Sequence, residues 1–299
     1  MMESVKLDMH PIWDALLHVY EEFARVCDKN NLRYYLAEGS AIGALRHKGF
    51  IPWDDDLDVI MPRPDYERFR QICEKELPDY LKFVNYENAP EFQYTFGKVQ
   101  DVRRDKVLEV ERVHGAILPG GIYIDILVID GAPSGILAKF IYKVKLLAFV
   151  CQQRFRTFCF SEIKNKPSKW LWIGGAVLSV FHPYEKWPGL AHRFENFMKS
   201  VPFETAELTW RDSATYSAVK LMYPREIWDG KVEVDFAGIK VPLPSGYDTY
   251  LCAQYGDYMT PPEKCRQLTT HLYSSRCPWW LGPTKAGADC ENESVNHAS

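Results

Sequence analysis

Residues 39–69 read GSAIGALRHKGFIPWDDDLDVIMPRPDYERF, and this stretch decides the fold. Gly39-Ser40 breaks a short aromatic run, Leu32–Ala37 (LRYYLA), that suits a strand. Ala41–His47 then reads as a brief helix stopped by Gly49. Asp56–Met61 is the next strand, ended by Pro62 and Pro64. Asp65–Leu77 follows as a helix, with Pro64 suited to its first turn and Asp65 and Glu67 near its positive end. Side chains alternate along a strand. Asp54, Asp56, Asp58 and Ile60 therefore share one face, and Asp55, Leu57, Val59 and Met61 share the other. The apolar set marks the core side. Asp56 and Asp58 project together from the opposite face, with Asp54 one step earlier in a loop or supporting place. Two carboxylates so close raise each other's pKa unless a cation sits between them. A hard divalent ion relieves that repulsion, Mg²⁺ first and Mn²⁺ as the alternative. The DDDLD run alone fits a solvated acidic turn equally well. Gly39-Ser40 tips the balance, because backbone N–H groups and a hydroxyl at a helix start can approach a phosphate.

Working outward, His10–Asn30 is an amphipathic helix with Leu16, Tyr20, Phe23 and Cys27 on one face. Phe92–Val99 and Ile122–Val128 are further strands, and Gly131–Ser134 closes the first half. Ile136–Phe160 is helical and basic on one side. A helix near Leu190–Lys199, a hairpin over Val232–Leu243 and a helix over Tyr247–Tyr255 complete the second half. From about Ser274 the chain turns polar and loses periodicity. The expectation is one domain over 1–273, with a core at 10–135 and a helical and hairpin elaboration at 136–273, then a loose tail at 274–299.

Composition narrows the function. Hydrophobic residues make up 46% and charged residues 25%, the balance of a folded globular chain. The net charge of −4 gives no reason to expect nucleic acid as a partner. Nine Trp and seventeen Tyr suit a large core or a surface that meets sugars or lipid headgroups. The eight Cys are scattered with no CxxC, which fits free thiols in a reducing cytosol. The first residues, MMESVKLDMHPIWD, carry acids and no continuous apolar stretch, unlike a signal peptide. The expected location is therefore cytoplasmic, with the inner face of the membrane as a variant. The segment 137–149 (LAKFIYKVKLLAF), with the Trp-rich run at 170–181, reads as helical packing over the sheet, with peripheral membrane contact as the second reading.

The order strand, Gly-Ser, helix, Asp-x-Asp resembles the nucleotidyltransferase fold, and the 39–69 string is similar to the LicD family, which includes fukutin-like glycan-modifying enzymes. FGKVQD (96–101), GIYIDILVIDGAP (121–133) and YGDYMTPPEKCR (255–266) match in the same order, so the resemblance spans roughly residues 10–272. It implies an α+β fold with a nucleotidyltransferase-like mixed sheet flanked by helices. It also implies transfer of phosphocholine from CDP-choline, or of another group such as a polyol phosphate from a related nucleotide-linked donor. The acceptor would be a sugar hydroxyl of a cell-surface glycan precursor, of teichoic acid, lipopolysaccharide or capsule, and lipid-linked in some cases. A non-catalytic nucleotide- or glycan-binding protein is the alternative from another class.

The implied metal ligands and catalytic carboxylates are Asp56, Asp58 and, from a neighbouring strand, Asp125, with Asp130 as runner-up. Asp125 is also nominated to help deprotonate the acceptor. Gly39, Ser40, Arg46, His47 and Lys98 would bind the diphosphate, and Trp53 would shelter a quaternary ammonium. Arg266, with His271, resembles the family's closing basic motif, which either reaches the active site or locks the C-terminus onto the core.

Overall fold

The computed structural model describes residues 9–89, 92, 94–104, 111–113, 116–118, 122–159, 177, 187–211, 218–264 and 267. Helix α1 (His10–Lys29) buries Leu16, Tyr20, Phe23 and Cys27, as its 3.6-residue period predicts. Strand β1 is only Tyr35–Leu36, because α2 (Glu38–His47) starts three residues ahead of the expected position. Gly39-Ser40 therefore lies inside the first turn of α2 instead of breaking the chain before it. Lys48 closes α2 in the left-handed region, at φ 55°. Strand β2 (Asp58–Pro62) runs into α3 (Arg63–Glu76), and β3 (Leu81–Val84) follows. Strand β4 (Gly97–Asp101) falls later than the aromatic run at 92–99 suggested. Strands β5 (Glu111–Val113) and β6 (Ala116–Leu118) form a small separate hairpin. Strand β7 (Ile122–Ala132) is eleven residues long and continues through Gly131-Ala132, where a turn was expected.

The second half contributes α4 (Ile136–Cys159), α5 (Trp187–Met198), β8 (Leu208–Arg211), β9 (Tyr223–Pro224), the β10–β11 hairpin (Lys231–Phe236, Ile239–Pro244) and α6 (Tyr247–Tyr255). Ala237 and Gly238, at φ 50° and 89°, make the hairpin's tight left-handed turn. Of the second-half elements, β8 and β9 had no counterpart in the sequence reading. The Trp-rich run at 170–181, apart from Val177, and the polar tail from 274 lie outside the described residues.

The fold is α+β. Strand order in the main sheet is β1-β2-β7-β4-β3, with β8 added to β7 and β9 to β8. Strands β2 and β7 run parallel, and the other described pairings of this sheet are antiparallel. A parallel pair needs a crossover, and the chain from α3 to β6 supplies it. Strand β7 changes partner midway: β4 pairs with Ile122–Ile126, and β8 pairs with Ile129–Ala132. Gly131 lets the segment before β8 approach closely, because a Cβ there would come within 2.5 Å of the Val201 carbonyl oxygen.

Helices α1 and α3 lie on the sheet, and the β10–β11 hairpin lies against β1 and α2. The main core includes Phe23, Val59, Met61, Ile124, Ile126 and Trp228. A smaller one joins Tyr142, Leu146 and Val150 of α4 to Phe194 and Met198 of α5 and Trp210 of β8. Each such side chain contributes roughly 1.5–3 kcal/mol of burial. Helix α4 thus packs by one side onto α5 and onto the sheet at Ala132 of β7 and Trp210 of β8. Among the described residues, no helix is long and apolar enough to cross a membrane.

Candidate functional site

The register of three strands sets the site. Asp58 opens β2 opposite Asp125 of β7, and Asp125 stands opposite Lys98 of β4. Paired residues of adjacent strands point to the same face, so the three side chains form a row across the sheet. Two backbone bonds pin the row: the Asp125 N–H donates to the Leu57 carbonyl at 3.0 Å, and the Ala37 N–H donates to that of Asp58 at 3.0 Å. The Ser40 hydroxyl accepts the Asp58 N–H at 2.9 Å, which fixes where β2 begins. Ser40 is buried, so it positions the aspartate. Gly39 makes room for Asp54, since a Cβ there would meet Asp54 Oδ2 at 2.5 Å. Trp13 of α1 holds the acidic loop from behind, its indole N–H donating to the Asp54 carbonyl at 2.9 Å.

Charge gathers at the mouth of this row. Burial pushes the Asp58 carboxyl well above the ordinary carboxylate range, and the negative charges of Asp56, Asp125, Glu38 and Asp54 add to it in that order. Asp55 is buried. The strand starts at Asp58, so Asp56 approaches from the preceding loop and not from the strand itself.

Glu38 was not foreseen. It occupies the first position of α2 at φ 46°, a left-handed conformation that costs a non-glycine residue of order 1 kcal/mol. Arg211 Nη2 lies 2.7 Å from Glu38 Oε1, and the hydroxyls of Tyr250 and Tyr255 donate to its two oxygens. Burial disfavours the Arg211 cation, but Glu38 more than offsets this and the guanidinium's pKa is raised. The Tyr255 ring is 44% exposed while its hydroxyl turns inward. An acid beside Gly-Ser at a helix start was a legible signal for Glu38. Arg211 had none, because its strand was not recognised.

The other expected residues divide. Lys98 is a buried residue within β4, 3.3 Å from Asp125 and 3.3 Å above the Tyr123 ring centroid. Arg46 donates to the Tyr258 carbonyl at 2.8 Å and ties α2 to the turn after α6. Burial, then Arg46, lowers the pKa of His47, whose ring meets Trp53 edge-on at 6.3 Å. Trp53 is half-buried against the main core. Arg266 and His271 lie outside the described residues. Asp130 is not part of the row. It sits inside β7, five residues beyond Asp125 and so on the opposite face, where Arg63 grips both its oxygens at 2.7 Å.

Among the described residues, the three ligating side chains whose donor atoms all lie within 4.8 Å of one another are Glu87, His192 and Glu195, and not the aspartates. That group has the residue types and spacing to hold a metal ion. Its Glu195, however, already accepts from Arg63, Arg70 and Tyr86, and Lys199 lies beside it. Asp58 and Asp125 offer only oxygen donors, the kind that a hard divalent cation takes.

Residues 31–124, which contain the acidic loop and Asp125's strand up to its neighbour Ile124, match the family model described as LicD/FKTN/FKRP, nucleotidyltransferase domain. That stretch is thus similar to LicD-family nucleotidyltransferase domains. The chain is also 29% identical over 268 residues to the lipopolysaccharide cholinephosphotransferase LicD of Haemophilus influenzae, across 86% of this chain and 93% of that protein. An uncharacterized protein of Rickettsia prowazekii is 31% identical over 100 residues, 27% of this chain and 37% of its own. Another, from Rickettsia typhi, is 38% identical over 58 residues, 19% of each chain.

Proposed function

We propose that this protein is a LicD-type, cytoplasmic, metal-dependent transferase that moves phosphocholine from CDP-choline to a sugar hydroxyl of a cell-surface glycan precursor. The observation that carries this reading is the row Asp58–Asp125–Lys98, with Asp56, Asp54 and Glu38 crowding Asp58. A relative that matches most of the chain and is named for cholinephosphate transfer supports the choice of group.

In this reading Asp56, Asp58 and Asp125 hold a divalent cation, Mg²⁺ or Mn²⁺. When bound, the ion shields phosphoryl oxygens and aligns attacking and leaving groups. The acceptor's hydroxyl oxygen bonds to the phosphorus that carries choline, the bond from that phosphorus to the CMP oxygen breaks, and CMP leaves with the electron pair. Asp125 takes the hydroxyl proton, and Lys98 at 3.3 Å keeps that carboxylate oriented. Ser40 and Gly39 keep Asp58 and Asp54 in place, as their contacts indicate.

Purified protein with Mg²⁺, CDP-choline and a suitable glycan acceptor should release CMP. Asp56→Ala and Asp58→Ala should each stop that release without unfolding the protein; turnover in both variants would overturn the metal assignment. Thermal stabilisation by CDP-choline but not CDP-ribitol would support choline as the head group, and the reverse would point to a polyol phosphate.

A further inference from the structure

Helix α4 faces two different environments. One side, through Tyr142, Leu146 and Val150, belongs to the smaller core. The other carries Ile136, Leu137, Phe140, Ile141, Val144 and Leu147 outward, exposed by 88, 70, 65, 46, 50 and 38%. At the α-helical turn of about 100° per residue these six fall within an arc of about 140°, so they form one stripe along three turns and not scattered surface residues. A contiguous apolar stripe of this kind on a folded protein marks an interaction surface.

Charge selects the partner. Helix α4 contains Lys139, Lys143, Lys145, Arg154 and Arg156 and no Asp or Glu, in a chain whose net charge is −4. By the same projection Lys145 borders the stripe on one edge and Lys143, with Lys139, on the other. The Lys143 ammonium reaches the Lys220 carbonyl at 3.0 Å, and that of Lys145 lies 5.7 Å from the Phe197 ring centroid. Such stems lie along apolar surface and leave the charged heads at its margin. An apolar stripe bounded by cations alone is the composition of a helix that lies in a membrane interface.

We propose that α4 docks this protein onto a bilayer containing anionic lipid, with the stripe sunk at the headgroup boundary and the lysines at the lipid phosphates. The inference is independent of the transfer chemistry, and its test does not use turnover. The intact chain is floated with phosphatidylcholine vesicles that contain or lack phosphatidylglycerol. Binding should require phosphatidylglycerol and weaken with added salt. Phe140→Ser with Val144→Ser should lower binding by roughly tenfold or more while leaving the circular dichroism spectrum unchanged, because both side chains are exposed. Lys145→Gln should lower it about fivefold. Absence of flotation with either vesicle, or equal flotation of the double variant, would overturn the proposal. So would self-association of the chain in sedimentation that the double variant abolishes in the absence of vesicle binding, since the stripe would then serve a second copy.

Discussion

Asp125 and Asp130 stand five residues apart on one strand and have opposite fates. Asp130 is answered charge for charge: Arg63 grips both its oxygens, Glu195 shares that guanidinium at 2.8 Å, and Arg70 reaches Glu195 at 2.9 Å. This network locks α3, α5 and β7 together. On the other face, Asp125 stands between Lys98, at 3.3 Å, and Asp58, an acid pressed by Asp56, Asp125, Glu38 and Asp54. The first arrangement is complete as folded. The second gathers negative charge at the open end of a parallel strand pair, where a cation has something to stabilise. A buried carboxylate is therefore not informative by type; its partners decide whether it braces the fold or awaits a ligand.

The largest expected effect breaks the functional side. Asp58→Asn should lower CMP release about a thousandfold or more, the equivalent of several kcal/mol of lost transition-state stabilisation, with little loss of unfolding stability. Its counterpart, Arg63→Met, should do the reverse. It strands Asp130 in the interior, takes one of its partners from Glu195, and should cost about 3–5 kcal/mol in denaturant unfolding.

Glu38→Gln keeps the side chain's shape and removes its charge. It should reduce turnover about 10- to 100-fold by freeing Arg211 and the start of α2, with a smaller change in stability. Turnover equal to the parent protein's would leave Glu38 a purely structural residue.

The two regions should also respond oppositely to pH. Asp58 has a raised folded-state pKa, so its contribution to stability is present at low pH and lost as pH rises through that raised value. Glu195 has a lowered one: burial works against it, but Arg63, Tyr86 and Lys199 prevail. Its contribution is present above the ordinary glutamate value of about 4.3 and lost as pH falls below it. Melting temperature followed against pH should show Asp58→Asn flattening the alkaline side and Glu195→Gln the acid side. Mg²⁺ should flatten the alkaline side in the parent protein. The smallest effect is at Gly39→Ala, where the new Cβ must displace the Asp54 carboxylate; about 1 kcal/mol of stability is expected to be lost, with a modest fall in turnover.

The half of the site built from local pattern was legible in the sequence. Alternation in DDDLDVIM placed Val59 and Met61 in the core, where they lie, because a strand has period two. The strand holding Asp125 was evident from the apolar residues on both sides of that aspartate, and α6 matched its expected bounds. What failed was whatever depends on distant partners. Gly39-Ser40 reads as a break by propensity, yet Glu38 begins the helix because Arg211, Tyr250 and Tyr255 hold its unfavourable φ. Strand β8 is four residues long and carries an arginine whose charge makes sense only against Glu38. The outward stripe of α4 was read as packing, since the same spacing serves a core or a bilayer and only exposure tells them apart.

The grip on Glu38 also sets an order of assembly. Its tyrosine partner at 250 lies 212 residues away along the chain, and its arginine sits on a strand laid onto β7 late in the sequence. During synthesis every aspartate of the row emerges long before either partner. Closing so large a loop is slow and entropically costly. A ribosome-bound chain halted before β8 would thus carry the acidic motif with the entry to α2 unsecured. Competence should arrive late and abruptly, when α6 docks.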